Sequence, residues 1–105
     1  MYLIRDVFRC KPGKAKLLAE KLRATLPSTE REDGFRNCRL LVDFVADYWT
    51  VVWEAEVDSL ERFEHHMAHY ASRPAVREAM AGYLDLVEGG HREIFRILHP
   101  APPAG

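Results

Sequence analysis

The sequence predicts a single α+β domain in which four antiparallel strands and two helices follow the order β-α-β-β-α-β. Three observations carry this prediction. Apolar and polar residues alternate in four separate short windows, apolar residues recur at helical spacing in two others, and 105 residues suffice for one core and no second domain.

In the first strand, residues 2–9, Tyr2, Ile4, Asp6 and Phe8 fall on one side and Leu3, Arg5, Val7 and Arg9 on the other. Lys11, Pro12, Gly13 and Lys14 make a turn. Ala15, Leu18, Leu22 and Leu26 then recur at helical spacing until Pro27, where the first helix is expected to stop, and a glycine-bearing loop over residues 28–34 follows. In residues 35–45, Cys38, Leu40, Val42 and Phe44 share a side. Beyond a short turn at Ala46 and Asp47, Trp49, Val51, Trp53, Ala55 and Val57 face one way, and Tyr48, Thr50, Val52, Glu54 and Glu56 face the other. These are the second and third strands, joined as a hairpin.

Asp58, three residues before Glu61, reads as the cap of the second helix, whose apolar stripe is Leu60, Phe63, Met67 and Tyr70. Ser72-Arg73-Pro74 interrupts that helix, because a proline ring lacks a backbone donor and crowds the preceding turn. Helix is expected to resume from about Ala75, with proline at its tolerated first position, to bury Val76, Met80, Tyr83, Leu84 and Val87, and to stop at the Gly89-Gly90 pair. Residues 91–98 supply the fourth strand. The order is the ferredoxin-like one, with both helices covering one face of the sheet. The domain occupies residues 1–99, and a Pro-rich tail at 100–105 cannot enter a sheet interior.

Fifteen basic and sixteen acidic residues leave a net charge of −1, so no global field attracts phosphate backbones or anionic lipid, and neither nucleic acid nor membrane is expected as a partner. The amino terminus turns to charge after three apolar residues and no stretch reaches the length of a membrane span, so a cytoplasmic protein is expected. Cys10 and Cys38 show neither CxxC spacing nor a histidine arrangement that would complete a zinc site, and both read as reduced core residues.

Two helices shield one face of such a sheet, and the other face should then be polar. Here it carries Leu3, Val7, Leu41, Val45 and Val52 among Arg5, Arg9, Arg39, Asp43, Glu54 and Glu56. Apolar residues mixed with both signs of charge suit a surface that meets a second copy of itself across a two-fold axis, so a homodimer through the sheet face is expected. Each apolar side chain newly covered would contribute on the order of 1 kcal/mol.

Lys11-Pro12-Gly13-Lys14 after the first strand, together with the run from Tyr48 through Trp49, Trp53 and Glu54 to Leu60, resembles the dimeric α/β-barrel superfamily in its antibiotic-biosynthesis-monooxygenase-like and NIPSNAP-like branches. The resemblance spans residues 2–98. It implies two ferredoxin-like subunits paired through their sheets, with a small-molecule pocket between sheet and helices in each. The superfamily houses cofactor-free monooxygenases, haem-degrading enzymes and lactone isomerases, and fold does not choose among them. The haem-degrading branch carries an Asn on strand one and a Trp and a His on helix two; here those positions fall at Asp6, about His66 and near Val76, so haem degradation is not implied.

Asp6 breaks an apolar series on the side expected to face the helices. It is either a general base or anchor in the sheet–helix cleft, or a carboxylate paired with an Arg or facing solvent. His66 lies beside the second helix's apolar stripe, as an acid/base partner for Asp6 or as a boundary histidine. His65 and His69 lie one turn apart toward solvent, and no third ligand accompanies them to make a metal site. Trp49 and Trp53 are expected to share a face, either in the core or stacked on a planar aromatic ligand. Tyr70 and Tyr83 are candidates to line the same cleft, and Arg73 is a candidate clamp for an anionic group or a helix cap. No cofactor motif is present: the sequence lacks a dinucleotide fingerprint and a P-loop. The expectation is a homodimeric small-molecule-binding protein, as a cofactor-independent monooxygenase or isomerase, or alternatively a non-enzymatic dimerisation or ligand-sensing module.

Overall fold

The alternation near the amino terminus forms β1 (Tyr2–Cys10), and the leucine stripe after it forms α1 (Ala15–Asp33). There follow β2 (Arg36–Val42), β3 (Thr50–Val57), α2 (Leu60–His69), α3 (Pro74–Ala79) and β4 (Val87–Arg96), with single 3-10 turns at Tyr70–Ser72 and Tyr83–Leu86. The computed structural model describes residues 1–99, and the Pro-rich tail expected at 100–105 lies outside the described residues. The sheet order is β2-β3-β1-β4, every neighbouring pair is antiparallel, and the helices lie on one side. This is the ferredoxin-like arrangement.

On the helix side, Ile4, Trp53, Ala55 and Val57 close around Phe35, while Val51 and Cys10 meet Ala15, Leu18 and Leu22 of α1. Phe8 and Leu40 touch both groups. Among the described residues, no helix lies over the far side of the sheet. There Arg39, Glu54, Arg5 and Glu93 stand opposite one another in register across all four strands. Glu54 pairs with Arg39 and lies 2.8 Å from Arg5 Nε, and Arg5 reaches Glu93 at 3.4 Å. Glu54 is buried, with both arginines paired to its carboxylate.

Four local expectations need correction. Pro27 does not end α1, which continues to Asp33. The ring removes one backbone donor, but Thr25, Thr29 and Asp33, spaced by four, carry on the buried line that Leu18 and Leu22 begin. The two hydroxyls donate to the carbonyls of Leu22 at 2.7 Å and Thr25 at 3.2 Å, so polar residues occupy buried positions with their bonds satisfied. The cap of α2 is Ser59, whose Oγ accepts from the Arg62 N–H at 3.3 Å, because Asp58 is committed to an ion pair with Arg36.

The hairpin strands are shorter than the alternation implies. β2 ends at Val42, and Tyr48 and Trp49 adopt φ of 61° and 53°, which takes Trp49 out of β3 and off the face of Trp53. Finally, Gly89 and Gly90 do not stop a helix. Gly82, with φ of 80°, turns the chain after α3, and the glycine pair lies inside β4. A Cβ on Gly90 would stand 2.2 Å from the Val7 carbonyl oxygen, so the close approach of β4 to β1 requires glycine there.

Gly90→Ala should therefore lower stability by about 1–3 kcal/mol, the range for steric insertion against backbone. Gly82→Ala, which meets only conformational strain in open space, should lose about 1 kcal/mol. Urea midpoints compare them, and equal losses would show that the β1–β4 approach does not exclude a methyl group.

Candidate functional site

Between the helices and the middle of the sheet lies a cleft of about 470 Å³, within the size range of small-molecule sites. Its floor is apolar, from Phe8 of β1, Trp53 of β3, Leu22 of α1, and Val76 and Met80 from the α3 region. Met67 and Tyr70 come from the α2 end, and Tyr83 from the last 3-10 turn. The charged and titratable side chains facing it are Asp6, His66, Arg77 and Arg92, with the two phenols. A shallower hollow of about 260 Å³ runs along Gly89 and Gly90 and shares Asp6, Phe8, Tyr83 and Arg92 with the first.

His66 is the buried residue of α2. Its ring stacks on Trp53, 6.1 Å between centroids at 11°, and packs against Phe35 and Tyr70 at 4.7 and 4.6 Å. Nδ1 lies 2.6 Å from Asp33 Oδ2. Asp33 is the last residue of α1, fully buried, and its carboxylate also accepts from Arg73 Nη1 at 2.9 Å and Nη2 at 2.5 Å. Burial alone would push Asp33 up, but the hydrogen bonds and charges of Arg73 and His66 hold it below the ordinary aspartate value. An ionised Asp33 only accepts, so Nδ1 carries the proton and Nε2 is the basic nitrogen. Burial outweighs the pull of Asp33 and holds His66 below the ordinary histidine value of 6.5, with Arg73 and Arg92 adding to the lowering. At neutral pH the ring is therefore uncharged. Nε2 has no hydrogen-bond partner among the described residues, and its ring faces the cleft.

Asp6 sits mid-strand opposite Trp53 and Arg92, and its two oxygens accept from Arg92 Nε at 2.6 Å and Nη2 at 3.1 Å. Arg92 Nη1 meets the Met67 sulfur at 3.3 Å, a weak acceptor, and the guanidinium lies 5.3 Å from the Phe63 ring centroid. The Asp6 bond raises Arg92 further above its ordinary value. Burial pushes the Tyr70 phenol up.

Of the residues singled out in sequence, Asp6, His66, Trp53, Tyr70 and Tyr83 come together on the cleft. Trp49 does not, being half-exposed in the 43–49 loop. Arg73 stands behind the cleft, bound to Asp33 and Glu32, and His66 is partnered by Asp33 rather than by Asp6. Sequence reasoning missed Asp33, which fell in an expected loop, and Arg92, whose facing depends on the β4 register. The available signal for Asp33 was its spacing of eight residues from Thr25 along the α1 line. His65 and His69 stack at 4.2 Å on the exposed side, and among the described residues no three His, Cys, Asp or Glu side chains gather into a metal-ligating group. Burial pushes the Cys10 thiol up and Cys38 to about 11, so both stay protonated at neutral pH. No helix among the described residues is long and apolar enough to cross a membrane.

No family model matches the sequence, and no curated protein matches it. Solved structures do. Protein SO0527 from Shewanella oneidensis is 23% identical with a TM-score of 0.70, over 90% of this chain and 87% of that one. An uncharacterized NIPSNAP-like domain protein from Burkholderia xenovorans is 15% identical with a TM-score of 0.78, over 99% and 90%. A proposed antibiotic biosynthesis monooxygenase from Chloroflexus aurantiacus is 20% identical with a TM-score of 0.70, over 99% and 96%. At such identities the likeness concerns architecture alone, and it places this chain in the ferredoxin-like fold shared by NIPSNAP-like and antibiotic-biosynthesis-monooxygenase-like proteins.

Proposed function

We propose that the chain is a homodimeric enzyme that binds a small planar molecule in the cleft and removes a proton from it with His66, as the first step of a cofactor-independent isomerisation or monooxygenation. The observation that carries this reading is the 2.6 Å bond from His66 Nδ1 to the buried Asp33, which leaves a neutral, oriented Nε2 on an apolar cleft. A base of this kind works best when its basic form dominates at the working pH and its geometry is fixed before substrate arrives. Asp33 orients the ring and stabilises the imidazolium once formed, in the manner of a buried carboxylate behind a catalytic histidine.

Nε2 takes a proton from carbon beside a carbonyl, and the electron pair of that C–H bond moves onto the carbonyl oxygen. The N–H groups of Arg92 not used by Asp6 are available to that oxyanion. Returning the proton to a different carbon completes an isomerisation. Giving that pair to dioxygen forms a hydroperoxide at the same carbon, and loss of a second proton from that carbon with cleavage of the O–O bond leaves a new carbonyl and releases the other oxygen as water. Trp53 and Tyr70, flanking the His66 ring, supply planar surface for the substrate. Dimerisation through the open sheet face is supported by Leu3, Val7, Leu41 and Val52 lying beside the four-strand charge row.

Nitrogen-15 NMR should find His66 neutral at pH 7 with the proton on Nδ1, titrating below 6.5; charging at or above that value would remove it as a resident base. Deuterium exchange into 2-tetralone, an enolisable planar ketone, should be accelerated by the protein and slowed about 100-fold by His66→Gln, and an unaffected rate would exclude His66 as the base. Sedimentation at micromolar concentration should give twice the 12.1 kDa chain mass, and Val52→Glu should yield single chains. A lone wild-type particle would dismiss the dimer.

A further inference from the structure

The charges on the cleft do not cancel. Asp6 and Arg92 neutralise each other through two hydrogen bonds that occupy both carboxylate oxygens. His66 is uncharged at neutral pH. That leaves Arg77, whose guanidinium makes no ion pair and no side-chain hydrogen bond among the described residues, although it lines the same cleft. Arg73, four residues earlier at the N-cap of α3, differs: it is turned to Asp33 and Glu32, and its role is spent on the histidine's support. The cleft thus offers an apolar body and one uncommitted cation at its exposed edge. A guanidinium in that setting favours a planar, two-oxygen anion such as a carboxylate, which it binds through parallel N–H bonds.

We propose that the ligand of this cleft is an anionic planar molecule, with an aromatic or conjugated body over Trp53 and His66 and a carboxylate or equivalent oxyanion held by Arg77. The inference rests on the reading of the cleft as a small-molecule site and adds the charge and shape of what enters it. It separates two roles that the arginines of the region would otherwise share. Arg92, tied to Asp6, is placed to meet an oxygen that gains charge during reaction. Arg77, without a partner, recognises charge the ligand already carries. An anion at Arg77 also explains why a cleft floored by Phe8, Leu22, Trp53, Val76 and Met80 keeps an arginine on its edge.

The test compares 2-naphthoate with its neutral isostere 2-naphthamide by NMR titration of the full chain, following the Trp53 indole and the His66 ring. The expected result is binding of both probes at those signals, with naphthoate favoured about tenfold, an amount typical of one partly solvated charge-assisted bond. Arg77→Met keeps the aliphatic stem and should abolish the preference while leaving naphthamide affinity unchanged. Equal binding of the two probes to the unmodified protein, or a preference that survives Arg77→Met, overturns the anion assignment and leaves the cleft reading standing. Failure of both probes to move either signal removes the cleft reading, and the anion assignment with it.

Discussion

A carboxylate buried at the carboxyl end of a helix is held against two penalties at once. Asp33 is removed from water, and it sits where the carbonyls of the last turn of α1 already concentrate negative potential. The chain offsets both by converging two partners from a distant segment, Arg73 and His66. The break between α2 and α3, set by Pro74, makes this pairing possible. Arg73 is extended, with ψ of 129°, and Pro74 starts the next helix, so the guanidinium can turn back to α1 instead of continuing along a helix surface. Desolvation offsets much of the attraction in a buried ion pair, and here the Asp33 contact fixes the plane and tautomer of the His66 ring.

With the ring fixed, the cleft assembles around it. Phe35, Trp53 and Tyr70 hold the imidazole from three sides, and the strand register sets Asp6 beside both Trp53 and Arg92. On the cleft wall Asp6 and Arg92 bond each other and His66 Nδ1 bonds Asp33 behind the wall, which leaves the histidine's second nitrogen and the Arg77 guanidinium without a partner among the described residues. An apolar pocket with a few open polar points is the usual form of a site that positions a small ligand.

The order of elements was legible because each strand window alternates and each helix window has its stripe, and the side on which Asp6 lies follows from that alternation alone. The partners were not. Arg92 reaches Asp6 only through the β1–β4 register, and the glycine pair in β4 resembles a helix stop when read along one dimension. Asp33 was hidden by Pro27, since a proline is a strong local signal for an end, whereas the continuation of α1 is decided by tertiary burial of Thr25 and Thr29. The alternation runs unbroken through Tyr48 and Trp49, but the left-handed backbone of both residues takes Trp49 off the face of Trp53. Local pattern locates the elements; long-range pairing decides which side chains meet.

The strand order leaves β2 and β4 at the borders of the sheet, where unpaired backbone groups invite further strands to add on. β2 shifts register between Arg36 and Arg39, with Asn37 at a φ of 52°, and two arginines flank the kink. β4 carries two glycines and charged residues at Glu88, Arg92 and Glu93. Neither border presents a straight apolar ribbon, so ribbon-by-ribbon growth into fibrils is discouraged at both ends of the sheet.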